Sequence, residues 1–196
     1  MQDHGEVAWT WVKNTFCYLR NHPYPCLILR AAARYDLRAF TDSDHSKCPD
    51  TRYSISGYTI FLGDSLISFG AEYQRQINNS TAESEIIAHD LGSRKLRAVC
   101  HIVEAVGGHK QWNIPIYIDN TRARELVTSP LQPGANGHLD AKYFSIREHN
   151  ESGLFQSTPV STEENVADIM VTWKNGKNFH QLAKWLKGYL PLFQKE

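Results

Sequence analysis

The sequence predicts an α/β fold in which helices flank a five-stranded mixed sheet. Its 196 residues, 41% of them hydrophobic, are enough for one domain with a buried core. Three apolar runs lie close together early in the chain, and a tight turn joins the last two as an antiparallel hairpin. Two later apolar runs alternate with helical patterns, which is typical of a sheet with helices on its faces.

The first half of the chain contains one predicted helix and three predicted strands. Apolar residues at helical spacing predict an amphipathic helix over residues 5–20. The apolar run at 27–29 is either a short strand or a connector. Strands are predicted over residues 35–41, 58–62 and 66–69.

The second half alternates helices with strands. A long helical pattern over residues 81–106 stops at a pair of glycines. A helix start is also predicted at Ser161-Thr162, for a helix that carries Val166 and Ile169. The other predicted elements are strands over 114–118 and 154–160 and helices over 122–127, 140–149 and 178–190.

Composition excludes several classes of protein. No apolar stretch reaches the roughly 20 residues of a membrane helix. The first residues have neither a basic start nor an apolar signal run, so secretion is not expected. The four cysteines form no Cys-x-x-Cys pair, so free thiols in a reducing compartment are expected rather than a zinc site. The 21 basic and 21 acidic residues balance, which weakens a simple prediction of nucleic-acid binding.

Four acidic residues stand where a two-metal nuclease needs them. Asp42 and Asp119 each end an apolar run, as expected of strands that deliver an acid to a sheet edge. Glu85 lies near the start of the long helix, and Asp168 lies in a short late helix. Because clustered carboxylates repel one another, such a group favours divalent cations between them. Two cations about 4 Å apart would bind both oxygens of a phosphoryl displacement.

Each acid alone also has an ordinary interpretation. An aspartate after a strand is often a turn residue, and a glutamate in the first turn of a helix is favoured by the helix dipole. Glu83 lies two residues from Glu85 and faces another side of the helix, which makes it the weaker candidate for a metal ligand. Trp112 and Trp185 are expected in the core rather than in a base-stacking surface.

Six short segments of the chain together form a recognisable pattern. They are Phe40-Thr-Asp-Ser-Asp44, Cys48-Pro-Asp-Thr-Arg52, Ser54-Ile-Ser-Gly-Tyr-Thr-Ile-Phe-Leu-Gly63, Ser80-Thr-Ala-Glu-Ser-Glu85, Ile116-Tyr-Ile-Asp-Asn120 and Val160-Ser-Thr-Glu-Glu-Asn-Val-Ala-Asp-Ile169. In this order and at this spacing they resemble the RNase H domain of copia-type LTR retrotransposon polyproteins. The resemblance covers about residues 35–190, so residues 35–196 are predicted to form the RNase H domain. Residues 1–34 resemble the C-terminal helix and connector of the reverse transcriptase.

The resemblance implies an RNase H-like fold and metal-dependent endonucleolytic hydrolysis of the RNA strand of RNA–DNA hybrids during reverse transcription. It implies two Mg²⁺ ions, with Mn²⁺ as a substitute, at Asp42, Glu85, Asp119 and Asp168. The implied partners are the hybrid and the rest of the polyprotein, with no membrane, inside cytoplasmic virus-like particles. Residues proposed to contact substrate are Asp44, Asn120, Arg122, Arg124 and His138.

Several substrate-contact candidates have a second interpretation. Loop solvation is the alternative for Asp44, helix capping for Asn120, and a packing role at a helix start or in a loop for His138. A solvated helix face is the alternative for Arg122 and Arg124.

The sequence also departs from the family pattern. His45 stands where the family usually has an aromatic residue, and Ala135-Asn-Gly-His138 replaces a basic run. These departures leave open a catalytically inactive, domesticated scaffold or nucleic-acid-binding module. A DNA strand-transfer enzyme of the same fold is a third hypothesis, which the strand order and the late Ala-Asp-Ile motif disfavour.

Overall fold

The predicted order of elements is confirmed. The computed structural model describes residues 5–21, 26–31, 36–46, 51–128, 137–172 and 177–193. Its elements are α1 Gly5–Asn21, β1 Leu37–Asp44, β2 Ile55–Leu62, β3 Ser65–Tyr73, α2 Thr81–Ala105, β4 Ile114–Ile118, α3 Thr121–Thr128, α4 Gly137–Glu151, β5 Phe155–Pro159, α5 Asp168–Val171 and α6 Lys177–Leu186.

The five strands form one mixed sheet in the order β3-β2-β1-β4-β5. Strand β1 is antiparallel to β2, as is β2 to β3, whereas β1 and β4 and then β4 and β5 are parallel. The register places Asp42 of β1 opposite Gly57 of β2. Strand β1 is central in this order, and helices pack against both faces of the sheet.

Alternate residues of β1 enter two cores on opposite faces of the sheet. Leu37 and Ala39 pack with Leu91 and Leu96 of α2. Phe40, on the other face, joins a core that contains Leu182 and Trp185 of α6. Full burial of a leucine or phenylalanine side chain contributes roughly 1.5–3 kcal/mol. The prediction that Trp185 belongs to the core is confirmed, since the side chain is fully buried.

Two glycines allow helices to approach the sheet closely. A Cβ atom on Gly92 of α2 would collide with Cγ2 of Thr41 in β1. A Cβ atom on Gly57 would lie 2.7 Å from Cγ1 of Val171 and 2.9 Å from Cβ of Met170, both in α5. The absence of these side chains therefore brings α2 and α5 against the middle of the sheet, one on each face.

The first three strands are longer than predicted. Strand β1 continues through Ser43 to Asp44, because these polar residues pair with Ser56 and Ile55 of β2. Asp42 therefore lies inside a strand and does not end it. Pairing between β1 and β2 extends both strands beyond their apolar residues, and the apolar pattern alone does not reveal this extension.

The helix predicted to start at Ser161 is wrong in extent. Residues before Asp168 form turns, and α5 is a single turn of four residues. The Asn165 side chain donates to the Thr41 carbonyl at 3.0 Å and accepts from the Ala167 amide at 3.2 Å, which holds the backbone in a turn. The last helix ends at Leu186, two residues before Gly188, which has φ of 76°.

Trp112 does not belong to the core, contrary to prediction. Its side chain is 55% exposed between α2 and β4, with the Lys110 Nζ 4.3 Å from the ring centre. Of the cysteines, Cys17, Cys26 and Cys100 are free thiols, as expected, and Cys48 lies outside the described residues.

Helix α1 forms as predicted, but its apolar residues Val12, Phe16 and Leu19 are exposed. Residues 26–31 are a connector and not a strand. Within it, Ile28 donates its amide to the Lys187 carbonyl, and Arg30 bonds to Ser65. The boundary at residue 34 stays a prediction. Among the described helices, none is both long and apolar enough to cross a membrane.

Candidate metal centre

Asp42 lies in the central strand of the sheet. It lies in β1 with paired neighbours on both sides, and its side chain is 6% exposed. The Asn165 amide binds the carbonyl of the preceding residue, Thr41, and so ties the turn before α5 to this strand. Asp42 therefore has a fixed backbone position from which to present a carboxylate.

Glu85 lies in the first turns of α2, whose start is capped by Ser80. The Ser80 hydroxyl accepts from the Glu83 amide, and the Glu83 carboxylate accepts from the Asn79 amide at 2.8 Å. Glu83 thus serves the helix cap. Glu85 instead turns toward β1, where its Oε1 accepts a 3.3 Å hydrogen bond from the Ser43 amide. This contact supports Glu85 over Glu83 as the member of the acid set.

Asp119 follows β4, the parallel neighbour of β1, so both acids lie toward the same end of the sheet. The next residue, Asn120, caps α3 by accepting from the Ala123 amide at 2.9 Å. The capping interpretation of Asn120 is confirmed. Its side chain also lines the cleft described below, so a substrate contact there stays a prediction.

Three of the four predicted acids converge closely. Asp42, Glu85 and Asp119 each offer a carboxylate oxygen, and these three atoms lie within 4.8 Å of one another. Asp168, the first residue of α5, is buried and lines the same cleft without joining this close group. The cleft has a volume of about 330 Å³. It is lined by Asp42, Ser43, Thr81, Glu85, Asp119, Asn120, Thr162, Asp168 and Thr172.

The convergence leaves Glu85 in an unfavourable electrostatic environment. Burial raises the pKa of Glu85 to about 8, and the Asp119 carboxylate adds to the rise, whereas hydrogen bonding with Ser43 lowers it. Its Oε2 atom is buried and has no hydrogen-bond partner among the described residues. A cation between these carboxylates would favour the ionised form of Glu85. The donors are all carboxylate oxygens, the ligands that Mg²⁺ prefers.

The other residues predicted to contact substrate differ in burial and in their place in the fold. Asp44 is not in a loop: it is the last residue of β1, its side chain is buried, and its carboxylate accepts from the Ile55 amide. The loop-solvation interpretation of Asp44 is therefore wrong, and a role at the strand end replaces it. Arg122 is exposed on α3, whereas Arg124 is half-buried. His138 is in the first turn of α4, but its side chain lies outside the described part of the chain.

Sequence reasoning missed the neutral groups of the cleft. The Ser43 amide binds Glu85, and hydroxyl-bearing Thr81, Thr162 and Thr172 line the walls. Ser43 could have been found from its position next to Asp42. The threonines carry no signal of their own, because only the packing of α2 and α5 on the sheet brings them together.

Comparisons with known proteins agree with this architecture. No protein-family model matches the chain. It is 28% identical over 188 residues to the retrovirus-related Pol polyprotein from transposon TNT 1-94 of Nicotiana tabacum, covering 96% of this chain and 14% of that protein. It is 27% identical over 162 residues to the corresponding polyprotein from transposon RE2 of Arabidopsis thaliana, covering 83% and 11%. The chain thus spans about a seventh or less of these relatives.

Among solved structures, the fold matches LC11-RNase H1, isolated from compost by a metagenomic approach. The TM-score is 0.51 at 14% sequence identity, covering 70% of this chain and 93% of that one. Identity this low bears on the fold alone. The chain is thus a homologue of the retrovirus-related Pol polyproteins of plant transposons, and it has the RNase H fold that its sequence motifs imply.

Proposed function

We propose that this chain is a ribonuclease H that hydrolyses the RNA strand of RNA–DNA hybrids, with divalent metal ions as cofactor. One observation carries the proposal: three buried or half-buried carboxylates from three separate elements converge within 4.8 Å, and a fourth lines the same cleft. Carboxylates distributed over β1, α2, β4 and α5 have no structural need to meet. Their repulsion is a cost that a bound cation would offset.

Asp42, Glu85 and Asp119 would hold the metal, and Asp168, which lines the same cleft, would complete the set. Bound Mg²⁺ or Mn²⁺ ions, two in the proposed site, supply charge neutralisation at the reacting phosphate and a more acidic water. The chain itself contributes the fixed carboxylate positions. The Ser43 amide contributes a donor that favours the ionised form of Glu85.

The proposed substrate is an RNA–DNA hybrid because the fold is that of RNase H and the relatives are Pol polyproteins. Arg122 and Arg124 of α3, with Asn120 at its start, are the proposed contacts to the nucleic-acid backbone. His138 of α4 is proposed as a further contact. The chain has no net charge, so its hybrid affinity is expected to be modest without further polypeptide.

The wider setting is also a proposal. The relatives are polyproteins, which supports a role alongside a reverse transcriptase, with residues 1–34 as its C-terminal end. Cytoplasmic virus-like particles are the proposed location. Limited proteolysis tests the domain boundary: first cleavage between residues 22 and 35 supports it, and first cleavage elsewhere contradicts it.

The decisive experiment compares Asp42→Asn with Asp90→Asn in cleavage of a labelled hybrid with Mg²⁺. Both aspartates are 6% exposed, but Asp90 lies outside the cleft and pairs with Arg94 at 3.1 Å. Asp42→Asn should lower the rate by more than about 100-fold, because even outer-shell partners of metal ligands reach that figure. Asp90→Asn should stay within a few-fold of the unmodified chain. Cleavage that survives Asp42→Asn would exclude this site.

A further inference from the structure

A cluster of neutral polar side chains lies directly beside the acids. It consists of Ser54, Gln74, Asn78 and Ser84, all of which are buried, and we refer to it as the serine–amide cluster. These residues come from the position just before β2, the segment after β3, and α2. Ser84 is the residue immediately before Glu85.

The Ser84 side chain is the centre of this cluster. Its Oγ lies 3.0 Å from the Asn78 Nδ2, 3.0 Å from the His45 Nδ1 and 3.2 Å from the Ser54 Oγ. It also lies 3.3 Å from the Ser80 carbonyl one turn earlier in α2. A serine hydroxyl donates once and accepts twice, so three of these four contacts are enough to use its full capacity. A fully satisfied buried network of this kind is rigid.

The two amides extend the network to the rest of the sheet. Gln74 donates from Nε2 to the Ser56 hydroxyl at 2.8 Å and to the Ser84 carbonyl at 3.0 Å. Its backbone amide donates to the Ser54 carbonyl at 2.8 Å. Asn78 also donates to the Gln74 side-chain oxygen. The side chains of Gln74 and Asn78 therefore bond the first turn of α2 to β2 and to the segment that follows β3.

The same hydroxyl also contacts the end of β1, since His45 follows that strand and lies three residues after Asp42. Ser84 thus joins the two elements that carry the closest acids, β1 with Asp42 and α2 with Glu85. The small displacements that such a network resists matter at a metal site, where ligands must be held within about 0.5 Å of a productive position.

We infer that Ser84 is a positioning residue for the metal centre, which it serves by fixing the first turn of α2, and hence the Glu85 carboxylate, against β1. This inference rests on the proposed function, because it requires Glu85 to be a metal ligand. Ser84 does not touch substrate or metal in this role. Its removal should loosen the approach of Glu85 to Asp42 and Asp119 without removing any carboxylate.

The test compares Ser84→Ala with Ser93→Ala. Both serines are buried in α2, and each hydroxyl contacts a carbonyl one turn earlier, that of His89 in the case of Ser93 at 2.8 Å. Ser93 lies two turns beyond Glu85 and has no contact with the serine–amide cluster among the described hydrogen bonds. Mn²⁺ affinity is measured from the electron paramagnetic resonance signal of free Mn²⁺, and metal-free stability from thermal melting.

Both variants should melt at a lower temperature, but only Ser84→Ala should weaken Mn²⁺ binding, by about 3- to 10-fold, below the range for loss of a direct partner of a metal ligand. Equal Mn²⁺ affinity in Ser84→Ala and the unmodified chain would overturn the inference, as would equal weakening in Ser93→Ala. If Ser84→Ala does not fold, Asn78→Ala decides in the same way, because it removes a donor to the same hydroxyl from outside α2.

The outcomes also separate this inference from the proposed function. If the unmodified chain shows no saturable Mn²⁺ binding, the metal centre itself is wrong. If it binds Mn²⁺ and Ser84→Ala binds equally well, the metal centre stands and only the positioning role of Ser84 fails.

Discussion

Successive turns of α2 carry two buried polar sites that differ in how their groups are satisfied. At Glu85, carboxylates face one another, and the Ser43 amide is the hydrogen-bond donor to the glutamate. One turn later, His89 lies 2.9 Å from the Ser157 hydroxyl, which also receives the Asn150 side-chain amide. At the second site a hydroxyl pairs with His89 Nε2, although His89 Nδ1 has no hydrogen-bond partner among the described residues, whereas the first site brings carboxylates together. The candidate metal centre is distinguished by negative charge that the described residues do not neutralise.

Burial favours the neutral form of both Glu85 and His89, but it shifts their pKa values in opposite directions. It raises the pKa of Glu85 to about 8 and lowers the pKa of His89 to about 4, with His149 adding to the latter shift. Near neutral pH His89 is therefore uncharged, which is the form that burial favours. The glutamate must either stay protonated or be ionised at a cost, unless a cation is bound.

The largest expected effect comes from Glu85→Gln, which should remove both the unfavourable buried charge at this position and the proposed metal site. Metal-free protein should become more stable near pH 8, on the order of 1 kcal/mol or more, because an unfavourable buried charge is gone. Stabilisation by Mn²⁺, about 2.7 kcal/mol for the unmodified chain at 100 times Kd, should disappear. Thermal melting with and without Mn²⁺ measures both effects.

A chain whose melting temperature is unaffected by millimolar Mn²⁺ even before substitution would favour the inactive scaffold instead. A Glu85→Gln variant that still gains stability from Mn²⁺ would remove Glu85 from the ligand set.

The next effect concerns the pH dependence of stability in the metal-free protein. For His89, the folded pKa lies below its unfolded value of 6.5, so its contribution is present above pH 6.5 and is lost as pH falls toward 4. For Glu85, the folded pKa lies above its unfolded value of 4.5, so stability is lost as pH rises from 4.5 toward 8. The two sites should therefore limit stability at opposite ends of the pH range.

Chemical denaturation of His89→Gln and Glu85→Gln between pH 4.5 and 8.5 tests this contrast. Relative to the unmodified chain, His89→Gln should flatten the acid side of the stability profile and Glu85→Gln the alkaline side. Parallel profiles for all three proteins would show that the two sites do not differ as described.

The smallest expected effect concerns α3, the helix that begins directly after Asn120 of the acid cleft. Arg122→Glu on α3 should weaken hybrid binding and lower the slope of log affinity against log salt by about 1, as loss of one phosphate contact requires. Arg97→Glu is the matched control, because Arg97 is also an exposed arginine but lies on the distal half of α2. Binding assays at several salt concentrations measure the slopes. Equal slopes for the two variants would dismiss Arg122 as a phosphate contact.

Local patterns and family motifs were sufficient to predict the order of the elements and the candidate acids. They were not sufficient to predict the length of β1 or the neutral polar groups near the acids. Asp42 and Asp119 could be predicted because each follows an apolar run, and the family motifs pointed to Glu85 and Asp168. The continuation of β1 beyond Asp42 depends on pairing with β2, which the strand's own residues do not encode.

The role of Ser84 could not be predicted, since its partner His45 is 39 residues away and the other contacts come from separate elements. In the sequence it is only a small residue before a glutamate. Asp44 was misplaced for a related reason. A polar residue after an apolar run suggests a loop, yet backbone pairing and the Ile55 amide keep it in the strand.

Gly57 does not line the acid cleft, yet a larger residue at this position would disturb the helix that carries Asp168. It is the cross-strand neighbour of Asp42, and a single added methyl group would strike Val171 and Met170 of the helix that begins with Asp168. The missing Cβ atom of Gly57 thus allows α5, which carries Asp168, to lie close against β2. A lineage in which any larger residue became fixed at position 57 would push the fourth acid outward while retaining all four acids, and would look intact in an inventory of its motifs.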